Sequence, residues 1–373
     1  RDDLRRNWQS FAVFVAGEAG EIDLAVQSPI TGTYSSVAPM GLIWSMVPRL
    51  PAAGIPVFAS FEDHYLLLTL TAETDGEVAA TAYLERHRRA GTVTEEEVAE
   101  DGLAGIFYTP GGAGPYPAVI TLGGSGGNMD VQKAVLLASR GYAALALDYF
   151  GGPGLPEQLS EIPLEYFAGA LAWLQAHPAV DGRRIGVVGN SRGGELALLL
   201  GATYPEIKAV VSYAGSGVVF GGYPRQGPAW TVGGEPVPFA PSEVMPAEQG
   251  GGSALVPGPA EELSGAEIPV EQINGPVLLI SGTADGVWPA TMLSEIARQR
   301  LAAHDHPYPY AHLVYEEAGH WLPVPYWPVT VDPVPHPLTG VTVAPGGTRA
   351  TNALAGAEAW AQVLAFLEAA LAP

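Results

Sequence analysis

Cysteine is absent from the 373-residue chain. That excludes disulfides, thiolate nucleophiles and cysteine metal sites, and leaves the compartment undecided. Basic residues are scarce: 17 Lys and Arg stand against 39 Asp and Glu, for a formal net charge of -22. Lys133 and Lys208 are the only lysines. Nucleic acid and anionic membranes need a basic footprint, so neither is expected as a partner. No apolar run approaches the roughly 18 residues of a membrane span, and no signal-peptide pattern opens the chain. A cytoplasmic location is the expectation. The chain begins at Arg1 without Met, so an upstream segment is expected to have been removed.

What is present is an apolar, glycine- and proline-rich chain with 47% hydrophobic and 15% charged residues. Its length allows two domains. The division is placed as a small all-β sandwich over 1–103 and an α/β domain over 104–373. Five strand candidates occupy the first part, at Trp8–Val15, Glu21–Val26, Gly41–Val47, Tyr65–Thr71 and Glu77–Arg86. They are separated by Gly/Pro turns without helical periodicity. His64 and His87 lie in these patterns and are read as structural or exposed. The acidic run Glu95–Glu97 is read as a solvated strand or linker.

From Ala104 the rhythm becomes strand and helix in alternation. Strands are predicted at Ala104–Tyr108, Pro117–Leu122, Tyr142–Leu147, Ile185–Gly189, Ala209–Tyr213, Val277–Ser281 and His312–Glu316. Helices are predicted at Met129–Arg140, Ile162–Ala176, Arg192–Ala202, Thr291–Ala303 and Asn352–Leu371. This is the pattern of a mostly parallel sheet covered by helices on both faces. Such sheets place their sites beyond the carboxyl ends of the strands.

Three of those strand ends carry chemistry. Gly189-Asn190-Ser191-Arg192-Gly193 is a G-x-S-x-G between an apolar strand and a helix, the setting of a nucleophile elbow. Asp285 follows the strand ending at Ser281, and His320 follows the last strand. The order Ser191, Asp285, His320 is that of α/β-hydrolases. His320 would take the Ser191 proton, and Asp285 would fix the imidazole tautomer. His304, His306 and His312 precede the last strand and so fall at the wrong end of the sheet. The oxyanion would be held by the Arg192 N–H and by Gly124 or Ser125 of the run Gly123–Asn128. That run also admits a plain turn; a phosphate loop is disfavoured by the missing G-K-[ST] ending. Two long Gly/Pro-rich insertions, 215–267 and 321–350, have the length of lids or binding loops. Phe220, Tyr223, Trp230 and Trp288 would suit an apolar acyl pocket, or else pack the loops' own cores.

Longer matches add a family. Leu159–Phe167 (LSEIPLEYF), RIGVVGNSRGGELALLLGA around Ser191, SGTADGVWP at 281–289, YEEAGHW at 315–321 and GTYSSVAPMGLIWSM at 32–46 resemble the acyl-CoA thioesterase and bile-acid-CoA:amino-acid N-acyltransferase family. The resemblance implies an N-terminal β-sandwich, here expected to lack its first strand or strands, before an α/β-hydrolase domain. It implies a serine hydrolase of acyl esters or thioesters acting through an acyl-enzyme, needing no metal or other cofactor, on a small-molecule substrate. An N-acyltransferase and a catalytically silent scaffold are the alternatives. Glu195 matches the family's G-G-E-L and is read as structural. The acidic net charge opposes a polyanionic CoA unless a local basic patch reverses it. Arg192, Arg225, Arg298, Arg300 and Lys133 are the candidates for that patch, and uncharged esters are expected to be handled at least as well as acyl-CoAs.

Overall fold

A computed structural model describes residues 8–48, 65–224, 227–246, 253–258 and 260–372. Its centre is one eight-stranded sheet. The strands are β1 (Thr94–Val98), β2 (Ala104–Thr109), β3 (Tyr116–Leu122), β4 (Ala143–Asp148), β5 (Val180–Asn190), β6 (Ile207–Tyr213), β7 (Val277–Gly282) and β8 (Tyr310–Tyr315). They lie in the order β1-β2-β4-β3-β5-β6-β7-β8. β1 with β2 and β2 with β4 pair antiparallel, and every other pair is parallel.

The inner strands are apolar along their whole length because both faces are covered. In β3, Ala118, Ile120 and Leu122 pack on one side and Val119 on the other. Helices α2 (Leu164–Ala176), α3 (Arg192–Thr203) and α4 (Ala290–Ala303) cover the first face through Phe167, Leu171, Leu196, Leu200 and Leu301. Helices α1 (Val131–Ala138) and α5 (Arg349–Ala370) cover the second through Ala134, Leu137, Trp360 and Val363. Asp130 caps α1 by accepting from the Lys133 N–H, and Thr348 and Thr351 form a reciprocal capping box on α5.

All seven strands and five helices expected after Ala104 are present, most within two or three residues at their ends. The sheet also takes in Thr94–Val98 as its edge strand, from the N-terminal side of the expected boundary at 103. The triple glutamate Glu95–Glu97 is exposed there, and only Val98 is buried. A charged, solvated edge resists pairing with another chain.

The first hundred residues depart from expectation in two places. Among the described residues the strands before residue 88 form three two-stranded pairs: Trp8–Gln9 with Val47–Pro48, Ala12–Val13 with Thr31–Gly32, and the long hairpin Tyr65–Thr74 with Glu77–His87. Glu21–Val26 is a turn, not a strand. Asp23 accepts from the Ala25 N–H through its carboxylate and from the Gln27 N–H through its carbonyl, and this local capping overrides the alternation. Gly41–Trp44 is a helical turn that buries Ile43 and Trp44. His87 is exposed beside Glu85; His64 lies outside the described residues.

The two insertions carry small sheets of their own. Trp230–Val232 pairs with Ile162–Pro163 and Glu235–Pro236. Hairpins form from Ser242–Pro246 with Ser253–Pro257 and from Val334–Pro335 with Thr342–Val343.

Candidate active site

The chain leaves β3 toward β4 on one side, and β5 lies on the other. Such a reversal opens a crevice at the carboxyl ends of the strands. Ser191 stands there, directly after β5, at φ 58° and ψ -122°. That conformation costs a non-glycine residue about 1–3 kcal/mol and persists only where its surroundings enforce it. The surroundings are backbone. A Cβ on Gly189 would fall 1.9 Å from the Gly193 carbonyl oxygen, and one on Gly193 would fall 2.2 Å from that of Gly123. The elbow therefore fits only because both flanking residues are glycine. The Ser191 N–H donates to the Tyr213 carbonyl at 2.8 Å. Among the described residues, Ser191 Oγ makes no hydrogen bond.

Asp285 and His320 are brought together. His320 Nδ1 lies 2.7 Å from Asp285 Oδ2, with side chains 3% and 2% exposed. The second carboxylate oxygen accepts the Val287 and Trp288 N–H groups at 2.8 and 3.2 Å, which fixes the acid in place. A loop hub fixes both residues. The His320 and Gly286 N–H groups both donate to the Pro345 carbonyl, and Asp285 bridges to Gly346. Gly346 has φ +76°, and a Cβ on it would lie 2.0 Å from the Ala284 oxygen. Asn352 completes the hub by accepting from the Gly319 N–H and donating to the Gly346 carbonyl. Trp288 relates this pair to Ser191: its ring packs edge-on against His320 at 6.3 Å, and it lines a cavity with Ser191.

That cavity, about 50 Å³, is bounded by Ser125, Ser191, Arg192, Tyr223 and Trp288, and by residues of both insertion hairpins, among them Val244, Leu255, Val341 and Val343. Gly124 backs directly onto Ser191, since a Cβ there would lie 3.1 Å from Ser191 Cβ. Of the four aromatics expected at the pocket, Trp288 and Tyr223 line it. Trp230 and Phe220 do not. Trp230 is fully buried against Tyr149 and Phe167, and Phe220 packs behind Trp288 in a satellite core. Trp230 is drawn into the main core, where its Nε1–H meets the buried Glu195, and Phe220 into the satellite core.

The expected basic patch is not assembled from its described members. Arg192 is buried: its guanidinium donates to the Gly221 and Phe220 carbonyls and to Glu195. Glu195 is fully buried and also accepts from Trp230 Nε1 at 3.0 Å and the Phe220 N–H. Burial pushes its carboxyl up from the ordinary range, while Arg192 and these N–H donors favour the charged form. Arg298 pairs with Glu295, Arg300 with Glu267 and Glu271, and Lys133 with Asp130. Arg225 lies outside the described residues. Of the rival histidines, His312 is held by Ser281 and Glu295 within the sheet, and His306 contacts the Gly275 carbonyl. Sequence reasoning missed His336, which lines the cavity and contacts Ser125 at 3.0 Å. It stands in a proline-rich stretch with no periodicity, so nothing in its neighbourhood marks it.

An eight-stranded, mostly parallel sheet in this order, with a strained serine elbow after β5, defines an α/β-hydrolase. Residues 1–100 match the model described as "Acyl-CoA thioester hydrolase/BAAT N-terminal region", and residues 162–373 match "BAAT / Acyl-CoA thioester hydrolase C terminal". The chain belongs to that family, and fold and family together make it an ester or thioester hydrolase. Among its relatives are acyl-coenzyme A thioesterase 1 of Rattus norvegicus, 31% identical over 98% of this chain and 87% of the relative. Acyl-coenzyme A thioesterase 6 of Mus musculus is 32% identical over 99% and 88%. The peroxisomal succinyl-coenzyme A thioesterase of Mus musculus is 30% identical over 98% and 87%. A solved structure of a putative dienelactone hydrolase from Klebsiella pneumoniae is 20% identical and covers 74% of this chain and 97% of its own, with a TM-score of 0.47. Relatives include mitochondrial and peroxisomal proteins. No helix among the described residues is long and apolar enough to cross a membrane.

The buried Arg192–Glu195 pair gives a stability prediction. Glu195→Ala strands a buried guanidinium and removes the partner of Trp230 Nε1, so unfolding free energy should fall by about 3–5 kcal/mol. Glu195→Gln should cost less. Urea denaturation of the two variants checks this; equal stability to wild type would mean the pair is not desolvated.

Proposed function

We propose that the protein hydrolyses acyl thioesters and esters through a Ser191–His320–Asp285 triad and a covalent acyl-enzyme. The observation that carries the reading is the buried Asp285–His320 pair at the same end of the sheet as the Ser191 elbow. In the reaction, Ser191 Oγ attacks the acyl carbonyl carbon while His320 Nε2 accepts the hydroxyl proton. Asp285 holds His320 with Nδ1–H toward itself and stabilises the imidazolium. The Arg192 N–H at the start of α3 and an N–H from Gly124 or Ser125 would receive the oxyanion. Collapse of the tetrahedral adduct breaks the carbon–sulfur or carbon–oxygen bond, and His320 returns the proton to the leaving group. Water then attacks the acyl-enzyme, gives its proton to His320, and releases the acid and free Ser191.

The relatives' names make acyl-CoA the first substrate class to test. The chain's own charge argues for a leaving group that needs no phosphate clamp. Four of the five arginines and lysines offered for such a clamp are committed to carboxylates of the same chain.

Ser191→Ala should lower kcat about a million-fold with the fold retained, and Asp285→Asn about ten-thousand-fold. Steady-state hydrolysis of a p-nitrophenyl ester reads both. A Ser191→Ala variant keeping a few per cent of turnover would refute the nucleophile.

The product should be the free acid even with glycine or taurine present. A serine acyl-enzyme is an oxygen ester and yields less readily to amines than the thioester a cysteine would form. Mass spectrometry of the products decides this, and a dominant N-acyl conjugate would move the protein to the transferases.

Salt separates the leaving groups. As ionic strength rises from low levels, kcat/KM for an acyl-CoA should rise or stay flat, because the screened field is repulsive. A steep fall, with a neutral ester of the same acyl chain unaffected, would reveal a phosphate site.

A further inference from the structure

One contact in the cavity is unused by that mechanism. His336 lies at the end of the hairpin strand Val334–Pro335, and its loop is closed by two backbone bonds: the His336 N–H to the Val341 carbonyl and the Gly340 N–H to the His336 carbonyl, both 2.8 Å. The ring is 8% exposed and packs edge-on against Tyr223 at 4.9 Å. The Leu338 N–H donates to His336 Nδ1 at 3.3 Å. A proton on Nδ1 would set donor against donor, so the proton of the neutral ring resides on Nε2. Burial lowers the pKa of the ring and favours that neutral form.

His336 Nε2 lies 3.0 Å from Ser125 Oγ. With Nε2 as the donor, Ser125 Oγ is the acceptor, and its own hydrogen is left for another partner. Among the described residues Ser125 has no second hydrogen bond. Ser125 and Ser191 line the same cavity. The residue before it, Gly124, is close enough that a Cβ there would lie 3.6 Å from Ser191 Oγ.

We propose that the Ser125 hydroxyl, oriented by His336, donates a hydrogen bond to the substrate's carbonyl oxygen as that oxygen becomes negative. Ser125 is then a catalytic residue through its side chain as well as its backbone, and His336 is a positioning residue that acts through it. A hydroxyl polarised by a fixed imidazole N–H is preorganised toward developing charge, which is where a donor lowers a barrier most. The inference rests on Ser191 being the nucleophile.

Kinetics of the full chain on p-nitrophenyl butyrate test it. Ser125→Ala should lower kcat about a hundred-fold with KM changed less than about threefold, because the donor is realised only in the transition state. Ser125→Thr keeps a hydroxyl and should recover most of the loss. His336→Leu should lower kcat about tenfold in the wild-type background and less than about twofold in Ser125→Ala, since residues acting as a unit are non-additive. His336→Gln, which restores an N–H near the Nε2 position, should recover activity. Unchanged kcat in Ser125→Ala, or an equal cost of His336→Leu in both backgrounds, would overturn the proposal. Failure of the underlying reading looks different: Ser191→Ala would stay active, and a fluorophosphonate would not label Ser191 in any variant.

Discussion

The structure depends on how closely three backbones approach one another at the end of β5. The elbow, the first turn of α3 and the loop after β3 meet with no room for a Cβ at Gly189 or Gly193. That crowding holds Ser191 at a left-handed φ, lifts its hydroxyl off the sheet, and brings Gly124 against it. At the elbow the strain falls on Ser191, and the buried strands on either side supply the apolar packing that sustains it. Asp285 and His320, paired at 2.7 Å, likewise each come from the loop after their own strand.

Much of this is written locally in the chain. Strands such as Val277–Ser281 are continuous apolar runs because they are buried on both faces, and the helices between them carry caps and helix-forming residues. Motifs at strand ends are readable because the connection between motif and strand is covalent: Ser191, Asp285 and His320 each follow their strand within a few residues. What was not readable depends on contacts between distant segments. His336 reaches Ser125 across 211 positions, and no local pattern encodes that meeting. Trp230 and Tyr223 come from the same insertion with similar composition around them. One enters the core by finding Glu195, and the other faces the cavity beside His336. The turn at Glu21–Val26 was hidden by a different effect, since Asp23 satisfies nearby N–H groups where alternation alone suggests a strand.

Charge is used inward. An acidic chain with few cations employs several of the described ones as internal ties: Arg192 anchors the 215–267 insertion under the elbow, Arg300 binds two glutamates, and Lys133 sits over the Tyr213 ring while pairing with Asp130. The Arg192–Glu195 pair is the most consequential, because it joins the helix that follows Ser191 to the loop that supplies Phe220 and Trp230. The negative surface is thus left without relief from these residues, and the site is approached through an apolar cavity mouth formed by two hairpins.

The Pro345–Gly346–Gly347 turn bears on how this enzyme can diversify. It ties the acid loop and the histidine loop through main-chain bonds and the start of α5 through the Asn352 side chain, and the close approach of the Ala284 oxygen leaves no room for a Cβ at Gly346. The hairpin just before it, from Val334 to Val343, hangs from that fixed point and contributes side chains to the cavity wall. Mutation can therefore recast the wall without disturbing the charge pair beneath it. The hub behaves as a chassis and the hairpin as a fitting mounted on it, where residues other than His336 can change the cavity wall while the hub's bonds stay in place.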